Sequence, residues 1–213
     1  MSRVLLAVAI VVAGCGSPAP KPEAPAPLPN LPLGGLAGQP VLVLPTHYLR
    51  QGDSLGWAAR VERPREYLRT LDDEIAFAFR ERGFGTTWRY PEELARTAKR
   101  NPGFAADPYA LAAERLRPGA AGAEGQLREP LASQVRGLIA MTEARYALLP
   151  VELRFEREPR TDGGRAVLRV ALIDGRRALV RWAGDVRSDP APQLSPALVA
   201  GLATRLADLI ATP

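Results

Sequence analysis

YALLPVELRFE (Tyr146–Glu156), RAVLRVALID (Arg165–Asp174) and RALVRWAGDV (Arg177–Val186) are the three runs that decide the fold. Each alternates apolar and polar side chains, and Asp162-Gly163-Gly164 and Asp174-Gly175 supply turn residues between them. Alternation of period two, punctuated by such turns, predicts a three-strand antiparallel meander. Leu153, Phe155, Leu168, Val170, Leu172, Val180 and Trp182 would line its inner face; Glu152, Arg154, Glu156, Arg169 and Arg181 would line the outer. That pattern is expected where one face of a sheet is buried and the other wet. A one-residue slip would exchange the faces, so the apolar pattern favours a three-residue loop between the last two strands. This register sets Arg169 opposite Arg181.

Outward from the meander, Val41-Leu42-Val43-Leu44-Pro45 is a wholly apolar run ended by proline, suited to a strand covered on both faces. Pro64 to Arg82 reads as a helix: Leu68, Leu71, Ile75 and Phe79 form one stripe, Gly83 is a natural stop, and Phe77 lies on the other side. Phe84 to Tyr90 suggests a second short strand. Pro91 to Arg100 and Asp107 to Arg117 read as short helices, and Pro130 to Glu143 as a longer one. Leu198 to Ile210 closes the chain as an amphipathic helix with Ser195-Pro196 at its start. The expected class is α/β (α+β). Residues 41–213 form one globular domain, with a mixed sheet of two short N-terminal strands and the C-terminal meander, packed by amphipathic helices.

Ahead of that domain the chain changes character. Arg3 is followed by an apolar run, Val4 to Ala13, about half of the roughly 20 residues that a membrane-spanning helix needs. This is the length of a signal-peptide core, so residues 1–14 are expected to be a leader. Cys15 is the only cysteine among 213 residues, which leaves no intramolecular disulfide or thiolate cluster. Residues 16–40 are rich in proline and glycine. Proline fixes φ and lacks an N–H, so Pro-Ala-Pro runs favour extended polyproline II. Residues 15–40 are therefore expected to be a lipidated cysteine and a tether.

Val12-Ala13-Gly14-Cys15 resembles the lipobox of bacterial lipoproteins, with Val12 where Leu is commoner. The resemblance implies diacylglycerol on the Cys15 sulfur, a cell-envelope address, and a membrane as partner. Gly16, in place of an Asp, favours the outer over the inner membrane. The body resembles a small α/β domain shared by three groups: the amino-terminal part of the Tol-system propeller protein, curli-secretion lipoproteins, and lipoprotein activators of penicillin-binding proteins. Val41–Pro45, the helix ending at Gly83, Arg145–Pro150 and the turn at Asp174-Gly175 carry this resemblance. It implies a fold, and a fold does not by itself imply a function. Pro118–Gly125 departs from the pattern, and nothing matches the long amphipathic hairpins of a secretion pore.

The composition points away from several chemistries. Lys and Arg number 28 against 23 Asp and Glu, a net charge of +5, and the arginines are dispersed among acids rather than clustered with aromatics. A nucleic-acid module would show such clustering, and none is expected to bind. No Gly-x-Ser-x-Gly elbow or phosphate-loop pattern occurs, and no cofactor or metal is expected. Asp72 and Asp73, with Arg69 three and four residues earlier, read as ordinary helix ion pairs. His47, the only histidine, follows the first strand beside Tyr48. The preferred reading is a non-catalytic envelope module that docks a protein partner through His47 and Tyr48, or through Arg154, Arg169 and Arg181 on the outer sheet face. The rival is an envelope enzyme, a hydrolase with a site near His47.

Overall fold

The computed structural model describes residues 33–119, 125–159 and 161–211. The leader, Cys15 and the tether to residue 32 lie outside them, as does most of the Pro118–Gly125 insertion. Among the described residues, six strands form one mixed sheet: β1 (Val41–Val43), β2 (Tyr48–Leu49), β3 (Gly125–Gln126), β4 (Tyr146–Arg157), β5 (Gly164–Asp174) and β6 (Leu179–Arg187). The α-helices described with them are α1 (Pro64–Glu81), α2 (Pro91–Arg100), α3 (Leu131–Ala140) and α4 (Pro196–Asp208). The order across the sheet is β1-β4-β5-β6-β3, with β2 also on β4. β1 and β2 run parallel to β4, and the β4–β5–β6 meander is antiparallel.

The sheet is buried on both faces. Val41, Val43, Leu148, Leu153, Phe155, Leu168, Val170, Leu172 and Val186 meet α1 and α4 in one core. Leu42, Leu44, Ala147, Leu149, Val151, Ala171, Ile173 and Val180 meet α2, α3, Leu111, Ala113 and Leu116 in the other. The wholly apolar β1 is covered on both sides, as its composition predicts. The meander's expected wet face is corrected in part: helices beyond its own sequence cover the β4 side of it and Glu152 and Arg154 are buried there too, while the Glu156 side chain stays 39% exposed.

Two bulges set the faces. Register shifts between Pro150 and Glu152, so Val151 is the extra residue and Glu152 joins the face of Leu149. Pro150 has no N–H to give, and opposite it the edge breaks between β1 and β2. A second shift makes Arg181 the extra residue of β6: Leu172 pairs with Trp182, but Ile173 pairs with Val180. Val180 therefore faces the second core, apart from Trp182. The turn is Gly175–Ala178, a residue longer than expected, and Arg169 stands opposite Asp185 rather than Arg181. Like charges opposite one another would be unfavourable, and the observed pairing is the opposite-charge one.

Three further expectations change. Phe84–Tyr90 holds a single parallel bridge, Leu42 to Arg89, and not a strand. Its aromatics pack beneath α1, with Phe84 stacked on Trp88 at 4.6 Å and Phe79 edge-on at 5.0 Å to Trp88. The second short N-terminal strand is Tyr48–Leu49. Asp107–Arg117 forms two 3-10 turns broken by extended Leu111. At the other end, Leu33 and Leu36, within the expected tether, are 1% and 3% exposed and join the first core. The Leu33 N–H donates to the Leu209 carbonyl at 3.0 Å.

Candidate functional site

Where the edge strand breaks, Pro45-Thr46-His47 crosses toward α1 and builds a polar site against it. The Thr46 N–H and hydroxyl both donate to Oδ1 of Asp72, at 2.8 and 2.7 Å. Asp72 is 5% exposed, and its Oδ2 has no hydrogen-bond partner among the described residues. Burial pushes its carboxyl up to about 7, aided by the Asp73 charge and opposed by the two Thr46 bonds and by Arg69. The ordinary surface ion pair expected of Asp72 is thus corrected. Asp72 lies four residues after Leu68 and three before Ile75, so it sits on the edge of the apolar stripe, and that spacing was the available signal.

His47 faces the same cavity. Its Nδ1 lies 2.8 Å from the Pro45 carbonyl, which can only accept, so Nδ1 carries the proton. Burial lowers the imidazole's pKa against the smaller opposing effects of that carbonyl, Glu114 and Asp107, and the ring is neutral at pH 7. Thr46, His47, Arg65, Arg69, Asp72, Asp107 and Tyr109 line a cavity of about 350 Å³. Arg69, Asp72 and Tyr109 also line a groove of about 730 Å³ that continues between α1 and α2, along Asp73, Arg80, Tyr90 and Glu92. Two cation–aromatic pairs floor it. The Arg69 guanidinium stands 5.4 Å from the Tyr109 ring centre, and that of Arg80 stands 4.5 Å from the Tyr90 ring. The Tyr90 hydroxyl donates to the Phe84 carbonyl at 2.9 Å, fixing that ring.

The other expected contacts lie elsewhere. Tyr48 packs against the second core beneath Arg117, 4.9 Å from its ring centre. Burial, aided by a hydrogen bond to Glu114, pushes its phenol above the ordinary range. Arg117 continues to Glu152, which is fully buried and also meets Arg50 at 2.7 Å. Arg154 donates to Glu156 at 2.8 Å and to Asp185 at 2.7 Å, and Arg169 approaches Asp185 at 3.6 Å. Burial raises the Asp185 pKa, but the Arg154 hydrogen bond and the charges of Arg154, Arg169 and Arg187 outweigh it and hold the carboxyl below its usual range. Arg154 and Arg169 are therefore engaged inside the sheet. Arg181, displaced by its bulge, is exposed beside Leu33, Leu36 and Tyr146 on the first-core side. The structure joins two of these arginines and separates the third.

Among the described residues, no group of three or more His, Cys, Asp or Glu is placed to hold a metal ion, and no helix is long and apolar enough to cross a membrane. No family model and no curated protein matches the chain. Among solved structures, the C-terminal domain of LpoB from Salmonella enterica is similar at 12% identity, over 69% of this chain and 79% of that one, with a TM-score of 0.36. The NMR structure of Escherichia coli LpoB is similar at 13% identity, over 88% and 84%, with a TM-score of 0.37. Lipoprotein GNA1162 from Neisseria meningitidis is similar at 13% identity, over 79% and 94%, with a TM-score of 0.37. The roles of residues in this chain rest on its own geometry.

Proposed function

We propose that this chain is a cell-envelope lipoprotein, held to a membrane by lipid on Cys15, whose body is a non-catalytic module that docks a protein partner. The outer membrane is the favoured site, because Gly16 follows the cysteine. One observation carries the anchor: the chain's only cysteine stands directly after Val12-Ala13-Gly14 at the end of a short apolar leader. A single acyl chain holds a protein marginally and two hold it stably, so the class of modification matters.

The groove between α1 and α2 supports the docking part. Its size suits a partner segment, and arginine and tyrosine are enriched where protein interfaces concentrate their binding energy. His47 lines the smaller cavity that shares Arg69, Asp72 and Tyr109 with it, whereas Arg154 and Arg169 are tied to Asp185. Two measurements test the reading. Metabolic labelling with a palmitate analogue, followed by intact mass, should give an acylated chain beginning at Cys15, and Cys15→Ser should abolish it. A photocrosslinking amino acid at position 109 should capture a discrete envelope protein, while Arg169→Glu with Arg181→Glu should leave the copurifying set unchanged. A silent position 109 with a changed set would move the interface to the sheet.

A second reading, an envelope hydrolase using His47, is favoured by the neutral imidazole and the Asp72 carboxyl sharing one cavity. Against it, the nearby hydroxyl of Thr46 gives its hydrogen to Asp72 and not to His47. His47→Ala that folds normally yet loses a measurable hydrolytic activity would establish this reading in place of the first.

A further inference from the structure

We infer that the loop tip at Phe104, with the basic end of α2, is a second membrane contact that seats on anionic phospholipid headgroups. The inference rests on the lipid-anchor reading of Cys15.

Phe104 is 82% exposed, the most open large apolar side chain among the described residues. Leaving an aromatic ring in water is unfavourable, and the backbone beneath this one is held by several contacts. The Phe104 and Ala105 N–H groups donate to the Asn101 carbonyl at 3.0 and 3.2 Å, and the Asn101 side chain donates to the Thr97 carbonyl at 2.9 Å. Gly137 of α3 lies so close to the Phe104 carbonyl that a Cβ there would stand 2.6 Å from it. The loop that carries the exposed ring is thus fixed against α2 and α3.

Three cations precede it on α2, between the flanking acids Glu93 and Asp107. Residues 94–106 read LARTAKRNPGFAA, with Arg96, Lys99 and Arg100 and no acid. All three cations are exposed. The exposed ion pairs elsewhere use Arg63, Arg89, Arg136 and Arg205; among the described residues none uses Arg96, Lys99 or Arg100. An apolar ring with adjacent Lys and Arg matches the boundary of an anionic bilayer, where apolar side chains bury at the edge of the acyl region and cations gain from the surface potential. Phe77 provides the internal comparison. It is 61% exposed, but three of its four helix neighbours, Asp73, Glu74 and Glu81, are acidic against the one base Arg80, a net charge which an anionic surface repels.

Three cations and one ring make a weak contact for a protein free in solution. A tether changes this. On the Cys15 reading only residues 16–32 separate the lipid from the body, so the anchored body stays close to the bilayer and a weak contact becomes populated by effective concentration.

The test uses the full-length acylated protein in vesicles. Because acylation blocks Cys15, Phe104→Cys supplies one free thiol for a nitrobenzoxadiazole probe, and Phe77→Cys supplies the comparison. In phosphatidylcholine vesicles with about a third phosphatidylglycerol, the probe at 104 should shift to the blue and lose half or more of its emission to brominated lipid; the probe at 77 should do neither. Lys99→Glu with Arg100→Glu should reduce that quenching about fivefold or more. Equal quenching at both positions, no quenching at 104, or indifference to the charge reversal would overturn the contact. So would a probe silent in vesicles but shifted in native envelopes, which would assign the tip to a protein instead. Failure of the anchor is read separately, because the unsubstituted protein would then take the label at Cys15.

Discussion

Thr46 gives two hydrogens to a single oxygen of Asp72, and the second oxygen of that buried carboxyl receives none. This clasp ties the break in the edge strand to the middle of α1, and it sets a pH dependence. The folded-state value of about 7 lies above the ordinary 3.8, so the native state holds the proton more tightly than the unfolded chain does. The resulting stabilisation is full below the ordinary value and is lost as pH rises through about 7. Asp72→Asn keeps an oxygen for Thr46 and removes the charge. Between pH ~5 and pH ~8 the wild type should lose about 2 kcal/mol relative to the Asn variant in urea unfolding. A wild type that gains stability over that range would show the carboxylate to be the stabilised form.

Glu152 should be sensitive to which side of its ion pair is removed. The carboxylate is fully buried, whereas the side chains of Arg50 and Arg117 are 40% and 38% exposed. Arg50→Ala with Arg117→Ala leaves a buried charge without partners, at about 3–5 kcal/mol. Glu152→Gln leaves two arginines that water can solvate, and should cost less. Equilibrium unfolding of the three proteins checks the order, and the reverse order would refute it.

Leu33 separates a tether from a body. If the folded unit began at Val41, Leu33→Ala would be silent. Because the side chain is 1% exposed in the first core, the substitution should cost about 2–4 kcal/mol. Thermal unfolding reads this directly, and an unchanged midpoint would return residues 33–36 to the tether.

Gly137 offers a test of the pinned loop. Alanine is the better helix former by about 1 kcal/mol, but its Cβ would meet the Phe104 carbonyl at 2.6 Å. We expect Gly137→Ala to destabilise by about 1–2 kcal/mol net, with the largest rise in amide exchange at residues 101–106. A stabilised variant would show that this loop yields freely.

Much of the architecture was legible because its causes are local. Period-two alternation located β4, β5 and β6, the 3.6-residue stripe of Leu68, Leu71, Ile75 and Phe79 located α1, and the wholly apolar β1 announced cover on both faces. Phe84–Tyr90 misled for a physical reason: an apolar run bounded by turns serves an aromatic cluster under α1 as well as it would serve a strand.

Sequence periodicity alone located β1, β4, β5, β6 and the helices α1, α2, α3 and α4 and implied a mixed sheet, since each of these segments carries its own pattern of burial. Only the tertiary structure decided which face each side chain took and which charges met. Bulges at Val151 and Arg181 reverse the alternation, and α2 and α3 cover a face that the meander's own sequence presents as wet. The Thr46 bonds to Asp72, the pairing of Arg154 and Arg169 with Asp185, and the close approach of Gly137 to the Phe104 carbonyl all join residues distant along the chain. No local pattern encodes those contacts.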